Sequence, residues 1–307
     1  MSDQGNLRRE HPSTYFVQDR SNIEELKRLH LQDQMLTRSQ GGVLPEQRNP
    51  GSFKRILDVG CGTGSWLIAV ARTYPTTEIL IGGDISRTLV EYARTEAEAE
   101  HVGDRVGFRM MDALRMFEFP TNYFDLVNLR LGSSFMRTWD WPKLLTEMGR
   151  VTRFPGTVRV SDLEIDAQST SPALTQLYER FRCALYRAGH LFTEDPAGLT
   201  GHLAQLFIQQ GYQQVQAQSV DLEYRAGTPE GEACYEDARR IFQTLRPFIH
   251  KWGCADSAYD HLYRQMLHEM HQPNFYGTWK MVITWGIFPG NLMERPGKRQ
   301  ATQRAQI

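Results

Sequence analysis

The spacing of apolar positions changes period along the chain, and those changes mark out its elements. Near the start, "SNIEELKRLHLQDQML" sets Ile23, Leu26, Leu29 (or His30) and Leu36 at helical intervals, with Ser21 or Asn22 as N-cap. Gly41, Gly42 and Pro45 end that helix. From Phe53 the pattern alternates between strand and helix, which predicts a parallel sheet covered by helices. "KRILDVG" reads as the first strand, Ser65 to Thr73 as its helix, "TEILIGGD" as the second strand, and "SRTLVEYARTEAEAEHV" as the second helix. "DRVGFRMMDA" and "YFDLVNLRL" follow as strands three and four, "WPKLLTEMGRVT" as a helix with Pro142 in its first turn, and "GTVRVSDLE" as strand five.

After Ser169 the texture becomes helical, over 171–188 and 199–210. "YQQVQAQSVDLEY" then reads as strand six and "WKMVITWGIF" as the last strand, which makes seven. Between these two, from Gly227 to Gly277, lie two further helical patterns. A segment that long is a cover or an interface, not a plain connection.

Composition adds exclusions. The chain has 307 residues, 40% hydrophobic and 23% charged, enough to bury a real core. With 35 basic and 36 acidic side chains its formal net charge is -1, so no whole-protein field gathers nucleic acid or an anionic membrane. No stretch approaches the roughly 20 apolar residues of a membrane span, and "MSDQGNLRREHPS" lacks the apolar core of a secretory signal. Cys61, Cys183, Cys234 and Cys254 are widely separated, without CxxC or metal-ligand spacing, and read as reduced thiols in a cytoplasmic protein.

The chemistry concentrates in "ILDVGCGTGSW", where a strand ends in Asp58 and runs into Gly60, Gly62 and Gly64. A glycine turn between strand and helix aims backbone N–H groups at a ligand with no side chain in the way. The dinucleotide fingerprint would place its third glycine where Ser65 stands, and the Gly-Lys-Ser/Thr of a phosphate loop is missing. The pattern Asp58-x-Gly60-x-Gly62-x-Gly64 resembles motif I of the class I S-adenosylmethionine-dependent methyltransferases. Asp84 ends strand two, where a carboxylate accepts hydrogen bonds from ribose hydroxyls, and Asp112 in "MMDAL" resembles the family's adenine-contacting acid. "FDLVNLRLG" resembles motif IV, and "RFPGTV" stands where the family has Arg-x-Gly-Gly. The resemblance runs from Phe53 to about Leu163.

It implies a Rossmann-like, seven-stranded, mostly parallel α/β sheet with helices on both faces and a helical cover before the last strand. It also implies S-adenosyl-L-methionine as cofactor and Cys61, Thr63, Ile85, Met111, Ala113 and Asn128 as further residues around it. Tyr15 and the segment Glu25-x-x-Arg28-Leu29-x-x-Gln32 are similar to the cap of small-molecule methyltransferases of the secondary-metabolite or quinone type. Gln32 would then meet the methionyl end and Tyr15 would close the transfer site. On this reading 1–14 and 291–307 are disordered, 15–50 is a helical cap, 51–168 is the cofactor-binding core, and 169–290 carries the cover and remaining strands of the same domain.

Methyl transfer from a sulfonium is an in-line displacement in which positioning does most of the work, and a base is needed only if the acceptor starts protonated. No Asn-Pro-Pro-Tyr follows strand four and no Pro-Cys dipeptide exists, which disfavours base and pyrimidine methylation. The partner expected is a small, mostly apolar methyl acceptor, with no nucleic acid, no membrane and a homo-oligomer allowed. Candidates for the acceptor wall are Arg130, Tyr186, His190, Phe192, Phe248, Trp252 and Tyr276, with Tyr15, Arg130 and His190 the candidates for catalysis. Arg130 reads equally as half of an ion pair. His261, His268 and His271 share a helix face but lack a metal-binding pattern, so no metal is expected. The alternative is a binding module or cyclase that keeps the cofactor site without the transfer.

Overall fold

A computed structural model describes residues 23–289. Tyr15, the proposed caps Ser21 and Asn22, and the segments 1–14 and 291–307 lie outside the described residues. Helix α1 (Ile23–Ser39) precedes the alternating units β1 (Arg55–Val59), α2 (Ser65–Thr73), β2 (Ile79–Asp84), α3 (Arg87–Ala99), β3 (Val106–Met110) and β4 (Phe124–Arg130). Then come α4 (Trp141–Val151), β5 (Thr152–Leu163), β6 (Gln168–Ser169), α5 (Pro172–Arg187), α6 (Thr200–Gln209) and β7 (Gln213–Arg225). The cover helices α7 (Pro229–Lys251) and α8 (Tyr259–Met270) lead into β8 (Tyr276–Ile287).

One sheet runs in the order β3-β2-β1-β4-β5-β8, with β7 on the far edge of β8. The strands from β3 to β5 are parallel, while β8 is antiparallel to both β5 and β7. Among the described residues the sheet has eight strands, one more than expected. The addition is β6, two residues that pair with Gly277 and Thr278 of β8. A bridge that short leaves no period in the sequence.

β4 is buried at every position and β1 at all but its first, so each reads as a continuous apolar run and must be covered on both faces. Leu57 and Val59 point into a core shared with α4, α5, α6 and the cover, whereas Ile56 points into a second core under α2 and α3. Local chemistry sets the helix starts: Ser86 caps α3, and Ser171 caps α5 ahead of Pro172. Thr228 caps α7 by accepting from the Gly231 N–H.

The cover closes over the C-terminal ends of the parallel strands. Arg28 of α1 is ion-paired with Asp237 of α7 at 2.9 Å and with Glu25 at 2.8 Å, which ties the cap helix to the cover. Cys183 of α5 and Cys254 beyond α7 form a disulfide, leaving Cys61 and Cys234 as free thiols. This corrects the expectation of four reduced thiols, and with it falls the argument for a cytoplasmic location that rested on them. The bonded pair is 71 residues apart, and only the packing of the cover brings it together.

Candidate active site

The site grows from the end of β1. Gly60, Gly62 and Gly64 all have positive φ, at 68°, 56° and 74°, a region closed to most L-residues. At Gly64 a Cβ would lie 2.5 Å from the Phe108 ring and 2.9 Å from Ala93, so the start of α2 packs closely against β3 and α3 only without a side chain. The N–H groups of Gly60 and Cys61 both bond the Gly83 carbonyl, at 2.8 and 3.0 Å, and fasten the loop to β2.

Asp84 holds the loop from its other side. Its Oδ2 accepts from the Gly62 N–H at 3.1 Å and its Oδ1 from the Ser86 N–H at 2.8 Å. Beyond β3, Asp112 accepts from the Leu114 N–H at 2.9 Å and pairs with Arg115 at 3.3 Å. These acids stand at the carboxyl ends of parallel strands, where open α/β sheets bind ligands.

Asp58 is buried beneath the loop, and Asn128 of β4 donates to its Oδ1 at 2.7 Å. Arg159 of β5 donates to Asn128 Oδ1 at 2.8 Å and is itself ion-paired at 2.8 Å with Glu46, both side chains being wholly buried. Burial is the main cause that pushes the Asp58 carboxyl up to about 7, against the Asn128 hydrogen bond. Asn128 thus supports Asp58 from within the sheet instead of lining the cavity.

A cavity of about 620 Å³ opens above these residues. Gln32, Asp58, Gly60, Cys61, Gly62, Thr63, Asp84, Ile85, Met111, Asp112 and Ala113 line it, so the structure brings together all of the residues expected around the cofactor except Gly64 and Asn128, which lie behind the wall. Gln32 reaches it from α1 and donates to Asp237 at 3.2 Å. Thr63 bonds Ser65, which bonds His30 of α1, so the cap helix and the loop share one hydrogen-bond chain.

At its other end the cavity is lined by Ile165, by Tyr178 and Phe181 of α5, and by Ile241, Phe242 and Leu245 of α7. This wall differs from the expected one. Of the proposed acceptor-wall residues only Arg130 lines the cavity; it is buried and paired with Asp33 at 2.7 Å, while its Nε and Nη2 have no hydrogen-bond partner among the described residues. Tyr186 is 41% exposed, Phe192 stacks on His202, and Tyr276 lies under Arg225. Phe248 packs on His190, Trp252 lies beside Lys251, and neither lines the cavity.

His190 is fully buried behind the 3-10 turn Gly132–Ser134, near the Ser133 and Met136 backbone, and does not line the cavity. Burial drives its pKa down to about 3, so the ring is neutral. That placement does not suit the proton-transfer role considered for it. Sequence reasoning missed Tyr178, Phe181, Phe242, Asp162 and Asp237 on the wall. For Asp162 a signal existed, since it is an acid one residue before the end of strand five, much as Asp84 ends strand two.

Among the described residues no group of three or more His, Cys, Asp or Glu side chains converges as a metal site. No helix among them is long and apolar enough to cross a membrane.

Residues 56–156 match the family described as methyltransferase domain. The chain is 35% identical over 105 residues to a demethylmenaquinone methyltransferase of Lactiplantibacillus plantarum, covering 34% of this chain and 43% of that one. It is 32% identical over 149 residues to the enzyme of the same name from Deinococcus radiodurans, covering 48% and 58%. The chain thus spans about half the length of the curated relatives it matches. Among solved structures, the YcgJ protein of Bacillus subtilis aligns over 84% of this chain and 97% of its own, at 18% identity and a TM-score of 0.48. The matched stretch contains the glycine loop, Asp84 and Asp112.

Proposed function

We propose that this protein is an S-adenosylmethionine-dependent methyltransferase that moves a methyl group to a small, mostly apolar acceptor. The observation that carries the reading is one continuous cavity with two chemistries. One end is made of a glycine loop and strand-end carboxylates, and the other of aromatic and aliphatic side chains from the cover.

The donor set fits the cofactor. The loop turns without side chains; on this reading Asp84 accepts from the ribose hydroxyls, and Asp112 with the Ala113–Leu114 backbone contacts the adenine. Gln32 and Asp33 from α1 and Arg130 from β4 supply donors and an acceptor for an amino-acid end. When bound, S-adenosylmethionine supplies an electrophilic methyl group on a sulfonium. The chain's own residues hold the acceptor in line with it and exclude water, with α1, α5 and α7 forming the roof. The resemblance to enzymes named for demethylmenaquinone supports a small-molecule acceptor.

Calorimetry of the purified chain with S-adenosylmethionine and with S-adenosylhomocysteine tests the first half of this reading, and no heat from either would sink it. Incubation with methyl-labelled cofactor and a metabolite extract tests the second half. The expected outcome is a labelled small molecule together with S-adenosylhomocysteine; cofactor binding with no transfer would point to the binding module or cyclase instead.

A further inference from the structure

The cavity wall carries several carboxylates, and most have an evident partner. Asp33 is paired with Arg130 at 2.7 Å and Asp237 with Arg28 at 2.9 Å. Glu164 faces Lys280 at 3.7 Å. Asp58 belongs to the hydrogen-bonded row under the loop, and Asp84 and Asp112 hold the loop and the turn after β3.

Asp162 is different. It stands one residue before the end of β5, lines the cavity, and is fully buried, yet among the described residues no cation lies within ion-pair distance. It is held by Ser133, whose Oγ donates to Oδ1 at 2.7 Å and whose N–H donates to Oδ2 at 2.8 Å, and by the Leu163 N–H, which donates to Oδ1 at 2.9 Å. Oδ1 therefore accepts two hydrogen bonds and Oδ2 one. A buried carboxylate oriented this way and left without a counter-ion is an acceptor awaiting a donor. Leu163, Ile165, Phe181 and Leu245, which share the cavity wall with it, have apolar side chains and offer no side-chain donor.

We propose that Asp162 receives a phenolic or enolic hydroxyl of the methyl acceptor and takes its proton during transfer. The inference rests on the methyltransferase reading and names the class of its acceptor: a largely apolar molecule with one ionisable hydroxyl. In the transfer the hydroxyl oxygen forms the bond to the methyl carbon. The carbon–sulfur bond breaks with its electron pair staying on sulfur, which leaves a neutral thioether, and the hydroxyl proton passes to Oδ2. The step needs no other reactant.

Electrostatics agree with this geometry. Burial raises the Asp162 carboxyl to about 6, opposed by the hydrogen bonds from Ser133 and Leu163, and no charged side chain contributes. The titratable groups on the surrounding elements include Arg137, which faces His190 and whose buried Nη1 has no hydrogen-bond partner among the described residues. His190 behind Ser133 is unprotonated, the Tyr178 phenol on α5 is held above its usual range by burial, Asp237 on α7 pairs with Arg28, and Arg130 on β4 pairs with Asp33. On its own strand, Glu164 faces Lys280. A carboxylate that protonates near neutrality is well matched to removing a proton from a phenol or enol.

The test uses the full chain saturated with S-adenosylhomocysteine and three probes of one size: 1-naphthol, 1-methoxynaphthalene and 1-naphthylmethylamine. At pH 7.5 naphthol is expected to bind roughly tenfold more tightly than its methyl ether, the worth of one hydrogen bond to a charged acceptor. That advantage should fade as pH falls through about 6, and it should be absent in Asp162→Asn, whose affinity for S-adenosylhomocysteine stays unchanged. The wild-type pH series stands by itself should the variant fail to fold. Equal binding of naphthol and ether, binding of neither, an advantage that survives Asp162→Asn or does not vary with pH, or a preference for the amine would each overturn the proposal. Failure to bind S-adenosylhomocysteine would instead remove the methyltransferase reading on which it stands.

Discussion

The two ends of the cavity are built in different ways. The glycine-loop end comes from consecutive strand ends, β1 to β3, where each functional residue follows directly from the element before it. The acceptor end is assembled from the end of β5 and from α5 and α7, elements far apart in the chain; Cys183–Cys254 ties α5 to the segment after α7, and Arg28–Asp237 ties α7 to α1. The first end depends on backbone conformation and fixed carboxylates. The second depends on which faces of those helices happen to meet.

The contrast makes separable predictions. The largest concerns Asp58, which in the folded chain keeps its proton up to about pH 7, against 3.8 for the ordinary carboxyl. Across that window the folded state binds more protons than the unfolded one, so this group makes stability fall as pH rises. Asp58→Asn should remove the fall and gain on the parent between about pH 4 and 7, by on the order of 3–4 kcal/mol in denaturant titrations. A constant difference across that range would show that Asp58 ionises normally.

Next comes Leu245→Ala in the cover, a fully buried side chain on the cavity wall. It should cost about 2–4 kcal/mol of stability while leaving S-adenosylhomocysteine affinity unchanged. If calorimetry showed cofactor affinity falling in step with stability, the two ends would not be separable.

Asp84→Ala is the mirror experiment. Removing the carboxylate frees the Gly62 and Ser86 N–H groups and deletes the proposed ribose acceptor. Cofactor binding should weaken by about 2 kcal/mol, roughly thirtyfold. Unchanged affinity would refute the assignment.

The smallest effect is expected from Ser171→Ala, which removes the cap of α5, where Ser171 Oγ accepts from the Leu174 N–H at 3.1 Å. A loss of about 1 kcal/mol in stability is expected. Cofactor affinity equal to that of the parent would complete the separation of the two ends.

How legible each end was follows from the same difference. The turn of α2 at Ser65, the end of β2 at Asp84 and the helix over Trp141–Val151 stand where the apolar pattern puts them, because each boundary is made by neighbouring residues. Asn128 was expected around the cofactor from the resemblance, but not as the support of Asp58, because that contact crosses between strands. The cover helices were legible as helices, yet Tyr186 and Phe192 were expected where Tyr178 and Phe181 stand. Helical period gives the stripe of apolar residues but not which part of it meets a cavity and which meets another helix.

By itself, then, the sequence determined the alternation of strands and helices, the left-handed glycine turn and the acids at the strand ends, since all of these are decided within a few residues of chain. Tertiary structure alone decided the acceptor wall, the Cys183–Cys254 bond, the pairing of Arg130 with Asp33, and the burial of Asp162 with no cation beside it among the described residues. Those depend on the rotation and docking of helices across long separations, and no local spacing encodes the angle at which two distant segments meet.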